Sequence, residues 1–199
     1  MLLHQLVKGK KIILASKSPR RQQLLKGLGL PFEVRTNGEI DESYPSNMEY
    51  LEIPVYLAHK KAESVIHTLT ENEILIASDT IVCCKGKVLG KPVSRQNAID
   101  TLIELSGTNH SVITGVAITN GQRLRTFSSV TEVYFRLLTH SEIVYYVDNF
   151  KPFDKAGAYG IQEWIGYVAV ERIEGSYFNV MGLPVQKLYS ELQAFLENP

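Results

Sequence analysis

Cysteine is nearly absent from this chain: Cys83 and Cys84, side by side, are the only two. Neighbours on a strand point to opposite faces, so a bridge between them is strained, and they read as two packed thiols. Charge of one sign is not in excess either. Lys plus Arg number 21 and Asp plus Glu 21, a formal net charge of +0. No broad basic field exists for a long polyanion, nucleic acid is not expected as a partner, and any anion must be gripped by a local cluster. No apolar run approaches the ~20 residues of a membrane span. The opening MLLHQLVKGKK lacks the apolar stretch and small-residue cleavage site of a secretory signal. The expected setting is cytoplasmic, with no membrane partner. Repeats, low-complexity tracts and linkers are missing too, and 199 residues at 44% hydrophobic content suffice for a single domain, 1–199, with a real core.

Several catalytic motifs are missing as well. The five histidines, His4, His59, His67, His110 and His140, include no pair at helical ligand spacing, and no G-x-S-x-G elbow occurs. Lys91 in LGKP resembles part of a phosphate-binding loop, but Pro92 stands where Ser or Thr is required, which excludes a Walker-type ATPase.

What is present is an alternation of elements. Lys11 to Ala15 is a short apolar run, a helix starts at Pro19, and Phe32 to Arg35 reads as the next strand: an α/β beginning. Val55 to Leu69 has helical spacing. Ile74 to Ala77 reads as a buried strand, Ser78-Asp79-Thr80 as a strand end or turn, and Ile81 to Cys84 as resumed extended structure before a Lys85-Gly86 turn. Ser94 should cap a helix that Gly107 stops, Thr139 to Glu142 has capping-box spacing, and Pro184 opens a final amphipathic helix. His110 to Thr119 and Arg123 to Leu138 are extended stretches joined at Asn120-Gly121, a favoured two-residue hairpin turn. The sheet is therefore expected to be mixed.

Against this pattern a few charges stand out of place. Ser18 reads as an N-cap and Pro19 as the first helical residue, yet Arg20 and Arg21 follow in the first turn. A helix N-terminus is partially positive, so each cation there costs roughly 0.3 to 1 kcal/mol unless an anion offsets it. Lys61 interrupts an apolar stripe between Leu57 and Val65, either snorkelling to water or meeting an anion inside a cleft. Asp79 follows a buried strand, where α/β proteins place their chemistry. Glu39, Asp41 and Glu42 form a second acidic source. Two carboxylates with two or three cations suit a divalent metal holding a phosphate chain.

The stretches ASKSPRR, IDES, Lys61-Ala62, SDT, LGKP, LSGTNHSVITGVA, DKAGAYGIQ and GSYFNVMGLP occur in the order and at about the spacing found in the Maf-like nucleotide pyrophosphatases. The chain resembles that family from Ile12 to about Leu188, with Lys17 a departure where the family often has a small residue. The resemblance implies a mixed, elongated α/β sheet with flanking helices in two lobes around a central cleft, similar to the inosine triphosphate pyrophosphatase fold, and a homodimer. It implies hydrolysis of nucleoside triphosphates to the monophosphate and pyrophosphate, with Mg²⁺ or Mn²⁺ as the divalent cofactor and no covalent intermediate. Asp79 would accept the proton of the attacking water and share the metal with Glu42. Ser16, Ser18, Arg21, Lys61 and Lys91 would hold the phosphates, and Arg20, Thr80 and Gln162 would set specificity. DKAGAYGIQ resembles the branch acting on dTTP and UTP, and the amide of Gln162 offers the donor and acceptor that pair with the N–H and carbonyl of uracil or thymine. The sister branch, acting on 7-methyl-GTP, and a non-enzymatic inhibitor of septum formation are the alternatives. A bound triphosphate would turn the Arg20 and Arg21 penalty into attraction.

Overall fold

The alternation of short apolar runs and amphipathic segments folds as a mixed α/β sheet flanked by helices in the computed structural model, which describes residues 1–38 and 40–197. Glu39, one of the acidic candidates, lies outside the described residues. In chain order the elements are α1 (Leu3–Leu6), β1 (Lys11–Leu14), α2 (Pro19–Gly27), β2 (Phe32–Val34), α3 (Ile53–Ile66), β3 (Glu73–Cys84), β4 (Lys87–Leu89), α4 (Arg95–Leu105), β5 (Asn109–Thr119), β6 (Leu124–Phe135), α5 (His140–Phe150), α6 (Trp164–Ala169), β7 (Val170–Glu174), α7 (Tyr177–Met181) and α8 (Val185–Glu197). A single 3-10 turn, Ala156–Ala158, precedes α6. The strand order is β2-β1-β3-β5-β6-β7, with β4 paired to β3 off that row. β1 is parallel to β2 and to β3, whereas β4 and β7 run antiparallel to β3 and β6, so the sheet is mixed as the sequence suggests. Among the described residues no helix is long and apolar enough to cross a membrane.

The chain divides into two compact units. The first takes Met1–Asp79, Thr114–Ser129 and the residues from Gly182 onward; the second takes Thr80–Ile113 and Val130–Met181. In the first, β1 and β3 bury Ile13, Ala15, Leu75 and Ala77 against Ala58, Ala62 and Val65 of α3. Two alanines on the contact face let that helix approach closely. At Gly115 of β5 the approach is closer still, since a Cβ there would sit 2.2 Å from the Pro54 carbonyl carbon. Only glycine fits. In the second unit the buried faces of α4 and α5 carry Ala98, Ile99 and Leu102 and Ile143, Tyr146 and Val147.

Local signals mostly hold. Ser94 Oγ accepts from Asn97 N–H at 3.1 Å, the Thr139–Glu142 capping box forms, and Lys85 and Gly86 both adopt positive φ in the β3–β4 turn. Cys83 and Cys84 are free and buried. Two expectations fail. Ser78-Asp79-Thr80 is neither a turn nor a strand end: β3 runs unbroken from Glu73 to Cys84, because its flanking residues are apolar on both sides and pair with neighbours that extend the ladder. The β5–β6 connection is not a two-residue hairpin turn but spans residues 120–123. Thr119 Oγ1 donates to the Arg123 carbonyl at 2.6 Å, and Asn120 Oδ1 accepts from Gln122 and Arg123 N–H at 3.2 and 2.9 Å, side-chain bonds that stabilise the wider loop. The segments that form α6, β7 and α7 are too short to carry a periodic signal, and the sequence alone assigns them no element.

Candidate active site

The first unit brings four of the expected charges together. β1 ends at Leu14, and Ala15 N–H continues the ladder to the Ile76 carbonyl at 2.9 Å, so the chain leaves the sheet at Ser16 beside the β3 residues that lead to Asp79. Ser16 and Asp79 are both buried. Ser18 is the N-cap of α2 with Pro19 after it, as the sequence indicates, but its hydroxyl makes no cap bond. Its backbone N–H instead donates to Ser16 Oγ at 3.2 Å. The N-terminus of α2 is thus shaped by its backbone and by proline, and the Ser18 hydroxyl is not committed to the cap.

Arg21, in the first turn of α2, donates from Nε to the Gly182 carbonyl at 2.9 Å, and Ser78 Oγ lies 3.5 Å from the same oxygen. That anchor fixes the plane of the guanidinium. Burial pushes the Arg21 pKa below its ordinary value; Asp79 and Glu42 oppose this, and Arg20 adds to it. The cost of placing positive charge at the start of α2 is therefore offset only in part, by these two carboxylates. Arg20 is half-buried beside it.

Lys61 is neither bare nor reaching for water. Its side chain is only 14% exposed; Nζ forms a short charge-assisted bond to Asp79 Oδ1 and lies 2.7 Å from Glu42 Oε1. Ala58 and Ala62, which press α3 onto the sheet, carry Lys61 to this position. Asp79 is 10% exposed at its side chain and Glu42 41%, so the inner carboxylate is shielded and the outer one borders solvent. Asp41 is turned elsewhere, bound by Ser43 and Lys60, which hold its carboxyl down at about 2. Of the two described members of the acidic cluster, it is Glu42 that shares a cation with Asp79.

This donor set suits a divalent ion. Two carboxylates that contact one ammonium are close enough to share one cation, and Mg²⁺ prefers one or two carboxylates completed by phosphate oxygens and water. Among the described residues no group of three or more His, Cys, Asp or Glu forms a metal cage. Substrate oxygens would have to complete the shell.

The remaining candidates belong to the second unit. Thr80 follows Asp79 on β3 and is half-buried. Lys91 is exposed in the coil after β4, where the adjacent Gly90 carbonyl accepts from Gly157 N–H at 3.2 Å. Gln162 is half-buried, and its Oε1 is shut away from solvent with no hydrogen-bond partner. Such an atom costs roughly 1 to 3 kcal/mol until a donor meets it. Gly182 stands in the GSYFNVMGLP stretch, but nothing in the sequence indicates that its carbonyl anchors Arg21; its φ of +114° favours glycine there.

The Maf-like protein family model matches residues 11–195. A Bacteroides fragilis protein named dTTP/UTP pyrophosphatase is 54% identical over 183 residues, covering 92% of this chain and 95% of its own length. A protein of the same name from Bacteroides thetaiotaomicron is 50% identical over 182 residues, covering 92% and 94%. A solved HAM1 protein from Coxiella burnetii aligns over 93% of this chain and 99% of its own at 16% identity with a TM-score of 0.48, too low to support a comparison of folds.

Proposed function

We propose, from the premise that this chain belongs to the Maf-like protein family, that it is a nucleoside triphosphate pyrophosphatase hydrolysing dTTP and UTP to the monophosphate and pyrophosphate. The observation that carries the reading is the cluster in which Lys61 joins Asp79 to Glu42 beside Arg21 and the start of α2. Relatives about half identical across nearly the whole chain bear the dTTP/UTP name.

In this reading Arg21 and Lys61 take the negative charge of the phosphates, helped by the hydroxyls of Ser16 and Ser18 and the first N–H groups of α2. Lys61 exchanges its carboxylate partners for phosphate oxygens as substrate enters. Glu42 and Asp79 hold Mg²⁺ or Mn²⁺, which when bound withdraws charge from the phosphate oxygens. Asp79 accepts the proton of the attacking water, a role worth roughly 10² to 10⁴ in rate. No nucleophile of the chain is needed, since phosphoryl transfer depends on positioning and on charge stabilisation. For Lys91, Thr80, Arg20 and Gln162, as phosphate-binding and specificity positions, the support is the family pattern, joined at Gln162 by the unmet acceptor. The same reading takes the protein as a cytoplasmic homodimer that removes modified or surplus nucleotides and works without nucleic acid or membrane.

The test is pyrophosphate release from a panel of nucleoside triphosphates with Mg²⁺. The reading expects dTTP and UTP to be cleaved at least about tenfold more efficiently than CTP, GTP or 7-methyl-GTP. Preference for 7-methyl-GTP moves the protein to the sister branch, and no cleavage of any nucleotide leaves the non-enzymatic septum-formation role.

A further inference from the structure

A glutamine amide is a poor judge of pyrimidines unless something holds it. Uracil and thymine present an N–H beside a carbonyl, cytosine presents an acceptor nitrogen beside an amino group, and turning the amide by half a revolution exchanges the two patterns. Discrimination therefore needs a device that prevents the turn.

The second unit contains one. Gln162 is the third residue of a β-turn closed by Glu163 N–H to the Gly160 carbonyl at 2.9 Å. The turn is pinned from below by Tyr146 of α5, a side chain with no exposed surface. Its hydroxyl accepts from Gly160 N–H at 3.0 Å and donates a short bond to Glu163 Oε2. Lys155, nearly buried, lies 3.1 Å from Glu163 Oε1, so both oxygens of that carboxylate are held. Gly160 leaves room for the arrangement: a Cβ there would lie 2.9 Å from Gln162 Nε2 and 3.1 Å from Glu163 Oε1. The amide nitrogen and the fixed carboxylate thus flank one small space. Although paired with Lys155, Glu163 Oε1 remains an acceptor on that side, which favours the amide with its NH₂ towards Glu163 and its oxygen away, and the oxygen is the unmet acceptor. At the other side, Gly166 admits the Ile161 carbonyl where a Cβ would stand 1.7 Å away, so the turn backbone cannot shift there either.

We infer that Tyr146 and Glu163 are positioning residues that hold the Gln162 amide in the one orientation that accepts uracil and thymine and refuses cytosine. This rests on Gln162 reading the base. The network uses no charge on the nucleotide and adds nothing to hydrolysis itself; its effect is selectivity.

Steady-state kcat and KM for UTP and CTP on the full-length protein and on Tyr146→Phe, Glu163→Gln and Gln162→Ala decide the matter. Both positioning variants are near-isosteric, and Glu163→Gln serves if Tyr146→Phe does not fold. The expected result is a fall of about tenfold in the UTP:CTP ratio of kcat/KM for each positioning variant, the worth of one hydrogen bond. It should come mainly from a higher KM for UTP and a lower one for CTP, with kcat for UTP nearly unchanged. A purely structural network would lower both substrates together and leave the ratio where it was. If Gln162→Ala collapses the ratio while Tyr146→Phe and Glu163→Gln preserve it, Gln162 reads the base and the positioning role is wrong. If Gln162→Ala itself leaves the ratio intact, base reading by Gln162 fails and the inference falls with it.

Discussion

Both units pair their buried ions, but they differ in how they treat buried neutral groups. In the first, each deeply placed ion has a partner of opposite sign: Lys61 with Asp79 and Glu42, and Glu73 with Arg35, whose Nη1 and Nη2 each lie 2.8 Å from a Glu73 oxygen. In the second, Lys155 is likewise paired with Glu163, but neutral groups are left incomplete. His110 Nε2 meets the Tyr159 hydroxyl at 2.7 Å while its Nδ1 is buried without a partner, and Gln162 Oε1 is likewise unmet. A bare buried ion costs far more than a bare buried dipole, so ions are paired within the protein while a neutral amide or imidazole can keep one unmet atom.

That contrast can be broken at several points. The largest effect is expected from Asp79→Asn, which removes the proposed proton acceptor and one of the two carboxylates around Lys61: pyrophosphate release from dTTP should fall by roughly 10² to 10⁴ with the fold retained by circular dichroism. Next comes Lys61→Met, which leaves two neighbouring carboxylates with Arg21 as their compensating cation. Its kcat/KM for dTTP should drop about a hundredfold, and addition of Mg²⁺ should raise its melting temperature more than that of the unaltered protein; equal shifts would contradict the view that Lys61 stands in for a cation.

Acid should act in two stages. Burial pushes the His110 pKa down to about 4 from an ordinary 6.5, so the unfolded chain binds this proton more readily than the folded one. The stability it contributes is complete above pH 6.5 and lost as the pH falls towards 4, on the order of 3 kcal/mol in all. Arg35 holds Glu73 down at about 2, below its ordinary 4.5, so that contribution is complete above pH 4.5 and lost as the pH falls towards 2. Urea unfolding at successive pH values should therefore show two stages. His110→Phe should flatten the slope between pH 6.5 and 4 and leave the lower stage in place; an unchanged upper slope would assign it to other groups. The smallest effect is Ser18→Ala. Because its hydroxyl makes no cap bond, stability should change by less than about 0.5 kcal/mol, against about 1 for an ordinary capping serine. KM for dTTP should still rise a few-fold, read by the same pyrophosphate assay.

The first unit was the more legible in sequence because charge out of pattern is conspicuous. Lys61 inside an apolar stripe and two arginines at a helix start both pointed to a buried counter-charge, and the structure supplies one. Asp79 stands out in sequence because it follows a buried strand, and the expected strand end is wrong: the apolar residues on both sides keep β3 running straight through Ser78, Asp79 and Thr80. Gln162 carries no periodic or charge signal, so its interest came from the family pattern alone. Tyr146 and Glu163 were invisible, since a tyrosine on an amphipathic helix reads as core and only the fold shows that its hydroxyl ties a turn closed. The Asn120-Gly121 pair misled because side-chain bonds from Thr119 and Asn120 outweighed the usual dipeptide preference.

The central claim is that a polyphosphate binds where α2 begins, between Arg21 and Lys61. Hydrogen exchange on the whole protein, with and without Mg²⁺ and an α,β-imido analogue of dTTP that resists cleavage, addresses it directly. The account predicts slower exchange at residues 16–23 and around Lys61 when the analogue is present. Binding of the analogue with exchange in those segments unchanged would contradict it.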